Sequence, residues 1–289
     1  MDAADDGVVV PPIHRLMRVI VLTNRQPNQL ALVNKLSGVA DVAAVVLSRN
    51  IPKRRPGLEK RFRLAWNAMA SRTIGRPFVE AWFGMQERYE GSESDWPREK
   101  LIEVDNVNDV TTLEAIDRIS PDLVVVSGTN IVGSRVIAAA QTTGAIVNLH
   151  TGISPYVKGG PNCTNWCLAK GWYDLIGNTV MWLDTGIDTG NIITTERTPL
   201  DGTESLSDLH WKVMEHAHDL YVRSVVRIAA ARPMNSVPQG SIAEGTSFSS
   251  VDWNGRAMRA AIRGLSGYRE HFDDGRSERF ELELIPLDA

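Results

Sequence analysis

Asn148 and His150 stand two residues apart at the end of an apolar run, so a strand there would turn both side chains to one face. Asp188 follows in a loop bounded by Gly186 and Gly190, where backbone freedom would let a carboxylate come back to that pair. An amide, an imidazole and a carboxylate suit acyl transfer to an amine supplied by a substrate, because no protein nucleophile is then needed. An imidazolium and the Asn148 amide would donate hydrogen bonds to the oxygen that gains charge as a carbonyl is attacked. The carboxylate would hold the His150 charge by proximity and help carry off the proton that the amine loses. An Asn-x-His pair at a strand end also serves as a capping or packing pair, and spacing alone does not separate the two.

Strands must deliver these side chains. Met17 to Thr23 (MRVIVLT) is a near-continuous apolar run, the pattern of a parallel strand covered on both faces. Gln29 to Ser37 has helical apolar spacing and Val42 to Leu47 is a second apolar run, so a strand, helix, strand unit opens a Rossmann-like α/β fold. The first turn, Asn24 to Asn28, has no glycine, which disfavours a dinucleotide there. Ile51 to Lys100 breaks the alternation and reads as a basic, Trp-containing insertion. The alternation resumes with a helix at Val110 to Ile119, a strand at Leu123 to Ser127, and a helix from Gly133 to Gln141 that Gly144 stops. The strand Ala145 to Leu149 then puts His150 and Thr151 at its C-terminal end, where ligands of open α/β sheets gather. A short helix over Pro161 to Lys170 and strands at Gly177 to Leu183 and Asn191 to Glu196 follow, the two strands joined by Asp184 to Gly190. Ser205 to Arg232 is an amphipathic helix, opened by a Ser205 to Asp208 cap and closed before Pro233. The expected organisation is a flexible tail over 1–15 and a catalytic α/β domain over 16–200, with a mostly parallel sheet and an insertion at about 50–100. A helix and linker over 201–240 and a small C-terminal extension over 241–289 complete it.

The chain has 289 residues with 31 Lys and Arg against 35 Asp and Glu, a net charge of −4 that excludes a uniformly basic nucleic-acid binder. Its 43% hydrophobic and 23% charged residues are those of a globular protein. Two cysteines, Cys163 and Cys167, make no disulfide framework, and a reducing cytoplasm is the simplest home. The acidic start lacks the basic and apolar regions of a signal peptide, and no apolar run reaches the length of a membrane span.

The text Asn148-Leu149-His150-Thr151-Gly152-Ile153-Ser154-Pro155-Tyr156-Val157-Lys158-Gly159-Gly160, with Asp184 to Gly190 downstream, resembles the formyltransferase family that uses 10-formyltetrahydrofolate. Members include methionyl-tRNA formyltransferase, glycinamide ribonucleotide transformylase and the sugar N-formyltransferases. The resemblance covers roughly Met17 to Pro199 and implies a formyltransferase domain in which Asn148, His150 and Asp188 are catalytic. It implies a folate pocket with Asp184, Thr185, Gly186 and Ile187 as one wall and Ser127, Gly128, Thr129, Asn130, Ile131 and Val132 as the other. Pro155, Lys158 and Gly159 would face the acceptor. The family's frequent Ser-Leu-Leu-Pro is here Gly152-Ile153-Ser154-Pro155, and its Arg-Gly is Lys158-Gly159, a weaker planar clamp.

The surroundings of the core distinguish acceptors. The tRNA enzyme carries a C-terminal barrel for which about fifty residues after the linker are too few. The formyltetrahydrofolate hydrolase carries a small domain before a core that here begins near Met17. The glycinamide enzyme grips a phosphate with a Gly- and Ser-containing first loop, which Asn24 to Asn28 does not reproduce. A nucleotide-linked amino sugar is therefore the expected small-molecule acceptor, and Val251-Asp252-Trp253-Asn254 with Met258 to Arg263 is similar to a pattern near the end of some sugar N-formyltransferases. A siderophore-type hydroxylamine would suit the same trio. Outside the enzymes, the alternative is a non-catalytic protein that binds folate or a partner.

Lys53, Arg54, Arg55, Lys60, Arg61 and Arg63 read as a solvated helix face, with a diphosphate or RNA as other uses. Cys163 and Cys167 read as core packing, and His210, His216 and His218 lack the spacing of metal ligands, so no metal is expected. Trp66, Trp82 and Trp96 are expected in a small satellite core or a subunit interface rather than as a platform for bases, and a homodimer is the partner they suggest.

Overall fold

Runs of Val, Ile and Leu form the centre of one sheet in the computed structural model, which describes residues 16–53, 57–91, 95–160, 162–186, 188–231, 234–273 and 282–287. In chain order the first elements are β1 (Arg18–Thr23), α1 (Pro27–Ser37), β2 (Asp41–Ser48), α2 (Leu58–Thr73), α3 (Arg76–Glu90) and β3 (Leu101–Val104). Next come α4 (Val110–Ile119), β4 (Leu123–Val126), α5 (Ser134–Thr143), β5 (Ala145–His150), β6 (Val157–Gly159) and α6 (Cys163–Lys170). The last are β7 (Gly177–Trp182), β8 (Ile192–Arg197), α7 (Leu206–Ala230), β9 (Thr246–Phe248) and α8 (Gly255–Asp273). The seven-stranded sheet has the order β3-β2-β1-β4-β5-β7-β8. Pairing is parallel from β3 to β5 and antiparallel where β7 joins β5 and β8 joins β7. This is the Rossmann-like α/β architecture expected of the sequence.

The two-residue period of a strand divides the core. Val19 and Val21 of β1 face one way, with Leu32 and Leu36 of α1 and Leu220 and Val225 of α7, while Ile20 and Leu22 face Ile116 of α4 and Ile137 of α5. Tyr221 of α7 is fully buried, and its hydroxyl accepts from Val126 N–H at 3.0 Å and donates to the Val147 carbonyl at 2.8 Å. It ties β4 to β5 one residue before Asn148.

The stretch expected to be an insertion holds two helices and a short turn of 3-10 helix at Arg98–Lys100, directly before β3. α3 packs on α7 and α1, and Trp82 joins a cluster of Ala31, Met85, Tyr89 and Met214. Trp96 packs against the main core instead of a satellite, whereas Trp66 is 67% exposed. β3 was not anticipated: it is a short edge strand whose Glu103 breaks the apolar run. Arg54, Arg55 and the tail over 1–15 lie outside the described residues. The C-terminal part lies along the main body, for β9 pairs in parallel with β6, α8 packs on α6, and Thr195 N–H donates to the Ile285 carbonyl at 2.8 Å beside β8. Among the described residues no helix is long and apolar enough to cross a membrane.

Two buried histidines on α7 give the stability a pH dependence. Burial lowers the pKa of His210 to about 4, and burial with the nearby Lys35 charge lowers that of His218 to about 3. Both rings are neutral in the folded chain and take up protons more readily when it unfolds, so stability falls as pH drops below the ordinary imidazole value. Between pH 6.5 and 5 the expected loss is about 1.5 kcal/mol for each ring, read as a lower urea midpoint. Full stability retained at pH 5 would contradict it.

Candidate active site

Asn148 and His150 sit at the C-terminal end of β5, where β7 pairs back with His150 opposite Thr179. The Asp184 to Gly190 loop leaves β7 and returns beside it. A side chain at Gly190 would place its Cβ 1.7 Å from the Trp182 carbonyl oxygen, so only glycine allows that return. Asp188 adopts a left-handed backbone with φ of 50°, uncommon for a residue with a side chain. Its Oδ2 accepts from Gly159 N–H at 3.1 Å and lies 3.4 Å from His150 Nδ1. The structure therefore brings His150 and Asp188 together from remote segments.

His150 Nε2 lies 3.1 Å from the Val157 carbonyl oxygen and 3.5 Å from Cys163 Sγ. With an acceptor facing each ring nitrogen, the imidazolium is the form that satisfies both. Burial alone would lower the ring's pKa, yet Cys163, the Asp188 carboxylate and the Val157 carbonyl outweigh it and push it up. Cys163 was expected only as packing. It is buried and unpaired, as is Cys167, and its contact with His150 has no signal in the spacing of the sequence.

Asn148 and Asp188 line a cavity of about 560 Å³ at this sheet edge. The Asn148 side-chain amide has no hydrogen-bond partner among the described residues. Gly128, Thr129, Asn130, Ile131 and Val132 form one wall, Leu183, Asp184 and Gly186 another. His150 stands behind Asp188 rather than on the cavity surface. Of the other anticipated residues Gly159 lines the cavity, whereas Ser127, Thr185, Lys158 and Pro155 do not, and Ile187 is outside the described residues. Pro155 is buried beside Gly245, where an added Cβ would come 1.5 Å from the Pro155 carbonyl oxygen. Lys60 of α2, named above as a possible diphosphate partner, also lines the cavity, as do Phe248, Ser249 and Ser250, which were unforeseen as site residues.

The walls are built in advance. Asn130 Oδ1 accepts from Ser48 Oγ at 3.0 Å and Val107 N–H at 3.2 Å, and its Nδ2 donates to Asn106 Oδ1 at 3.1 Å. Its side chain thus braces the wall and leaves Ile131, 66% exposed, to meet a ligand. Asp184 Oδ1 likewise accepts from Gly186 N–H at 2.9 Å and Thr189 Oγ1 at 2.6 Å within its own loop. Val126, Ile131, Val132 and Leu183 give this part of the cavity an apolar lining against which a flat ring could lie. Among the described residues no group of three or more His, Cys, Asp or Glu could hold a metal.

The N-terminus of α1, an anion site in many α/β folds, is closed here. Gln86 of α3 accepts from Asn28 N–H at 3.1 Å and donates back to Asn28 Oδ1 at 3.0 Å, both residues buried.

The profile of the family described as formyl transferase matches residues 17–225. The chain belongs to the formyl transferase family. One relative within it, methionyl-tRNA formyltransferase of Syntrophus aciditrophicus, is 31% identical over 139 residues, which are 48% of this chain and 43% of that protein. The match thus spans less than half of that relative's length. A sugar N-formyltransferase from a Shewanella species shares the fold with a TM-score of 0.50 at 15% identity, covering 85% of this chain and 88% of that one. A phosphoribosylglycinamide formyltransferase from Anaplasma phagocytophilum gives 0.51 at 17% identity, covering 81% and 99%. Formyl transferases named for three different acceptors therefore stand about equally near.

Proposed function

We propose that the chain transfers a formyl group from 10-formyltetrahydrofolate to the primary amine of a nucleotide-linked amino sugar. When bound, the donor supplies a formyl carbon open to attack by an amine. The observation that carries the reading is one cavity holding the Asn148 amide, unpartnered among the described residues, and an Asp188 carboxylate with His150 3.4 Å behind it, beside a wall braced through Asn130.

In this reading Asn148 Nδ2 donates to the formyl oxygen as it gains negative charge. Asp188 takes up the proton that the attacking nitrogen loses, directly or through water, and passes it to the departing donor nitrogen as the old C–N bond breaks. The His150 cation contributes positive potential beside the developing charge. Gly128 to Val132 and Leu183 to Gly186 would hold the donor's ring system. Lys60, Ser249 and Ser250 would meet the anionic and hydroxyl groups of the acceptor. The Gln86 plug at α1 weighs against a phosphate held in the first loop, and with it against the ribonucleotide acceptor. The two buried, unpaired cysteines suit a cytoplasmic site of action.

A tRNA acceptor is the second reading, favoured by the relative named for it and by the exposed Lys60, Arg61 and Arg63 on α2 beside the cavity. The test incubates the protein with 10-formyltetrahydrofolate and a panel of nucleotide amino sugars, methionyl-tRNA and glycinamide ribonucleotide, and follows tetrahydrofolate release. Release that depends on an amino sugar is the expected result. Dependence on methionyl-tRNA would move the acceptor to the second reading, and release with no acceptor would indicate a hydrolase.

A further inference from the structure

We infer that Gln239 is a positioning residue for the proposed reaction: its side-chain amide holds the loop carrying Asp188 in the backbone conformation that brings the carboxylate to His150. The inference rests on the catalytic reading of that pair. Gln239 is buried, and its Nε2 donates at 2.8 Å to the Asp188 carbonyl and at 2.8 Å to the Gly190 carbonyl. Two hydrogens meet two acceptors on either side of Thr189, so the amide grips the loop rather than touching it at one point. Its orientation is fixed, because exchanging nitrogen and oxygen would set an oxygen against both carbonyls. Gln239 Oε1 has no partner among the described residues. Burying an unmatched oxygen costs stability, so an apolar side chain would serve the packing better there. What a glutamine adds is the pair of donors.

The loop has need of them. Asp188 has φ of 50°, a conformation that persists only where the surroundings impose it. The front of the loop is tied by Asp184, whose carboxylate accepts from Gly186 N–H and Thr189 Oγ1, and Gln239 ties its rear. Gln239 is itself anchored, since Val237 and Ile192 exchange two backbone hydrogen bonds of 2.8 Å beside β8. The path runs from the sheet through Val237 to Gln239, then to the Asp188 backbone, and from its carboxylate to His150 and Gly159 N–H. The linker after α7 is thereby part of the site's scaffold.

The titratable groups facing the His150 ring are Asp188 and Cys163. Cys163 belongs to α6 and also reaches the Gly159 carbonyl at 3.4 Å, so the ring's titration is read against a reference that removes the Asp188 charge alone. The experiment follows His150 ring nitrogens by ¹⁵N NMR against pH in the full chain, in Gln239→Met, which keeps volume without donors, and in Gln239→Glu. Asp188→Asn supplies the reference for a ring without its carboxylate. Both Gln239 variants are expected to lower the midpoint toward that reference, by about one pH unit or more. Formyl transfer should slow about tenfold or more in kcat with the donor KM within about twofold. A native midpoint in a folded variant overturns the inference, as does a native kcat. Should neither variant fold by circular dichroism, Gln239 is a general determinant of the fold and the inference falls. The titration needs neither donor nor acceptor, so it tests the clamp even if no formyl transfer is found.

Discussion

Replacing Asn148 with alanine is expected to cut turnover by about 10²–10³-fold, the usual cost of removing one donor from a developing oxyanion. The reason is positional. Asn148 sits on a sheet strand, one residue after the β4–β5 tie made by Tyr221, and its amide opens into the cavity without a partner among the described residues. Its hydrogens are therefore available to a ligand at no cost of breaking bonds within the protein. The loss should appear equally in kcat and kcat/KM, because the charge it meets exists only as the carbonyl is attacked. Asn148→Asp, nearly the same shape, would present negative charge to negative charge and should be at least as slow. Steady-state rates with the amine found active in the acceptor panel check both variants, and a rate within tenfold of native for Asn148→Ala would remove the amide from the chemistry.

Asp188→Asn should lower turnover by about a hundredfold or more while the thermal melt stays near native. An asparagine oxygen can still accept from Gly159 N–H, which keeps the loop seated. What it cannot do is take a proton from the amine or stabilise a cation on His150. The neutral ring would then keep its Nε2 proton on the Val157 carbonyl, with an unprotonated Nδ1 facing the amide oxygen in place of a charged partner. The pH–rate profile is the discriminating measurement. Native enzyme should hold its rate on the alkaline side, because the raised His150 pKa keeps the ring protonated there, and the variant should lose that shoulder. Equal rates across the profile would place proton transfer elsewhere.

Much of this arrangement was legible in the residues. β1, β2, β4 and β5 are interior strands of a sheet covered on both faces, and such strands must be almost wholly apolar, which marks them in the text. α4 and α7 declare themselves by helical spacing, and Ser205 accepts from Asp208 N–H at 3.1 Å as its cap position demands. The His150–Asp188 contact was expected from a glycine-flanked loop, and Gly190 supplies the close approach. β3 was illegible because an edge strand needs only half its residues apolar. α2 was legible only as a charged, solvated helix face, because Leu58, Phe62, Trp66 and Met69 are exposed and its apolar stripe points away from the core that would have explained its length. Lys60, Phe248, Ser249, Ser250 and Gln239 entered the site through long-range packing, and no local pattern encodes which distant segment will close a cavity. The placement of His150 behind Asp188 is of the same kind: strand period fixes the face of a side chain but not its depth.

The parallel pairing of β6 with β9 has a temporal side. A parallel partner cannot arrive by a hairpin, so β6 emerges from the ribosome and waits while α6, β7, β8 and all of α7 are made before β9 can dock. The cavity walls over Gly128 to Val132 and Leu183 to Gly186, all encoded before Asn191, can gather around the nascent polypeptide first. The strand pair over Gly159 and Gly160 can form only once Phe248 has been made.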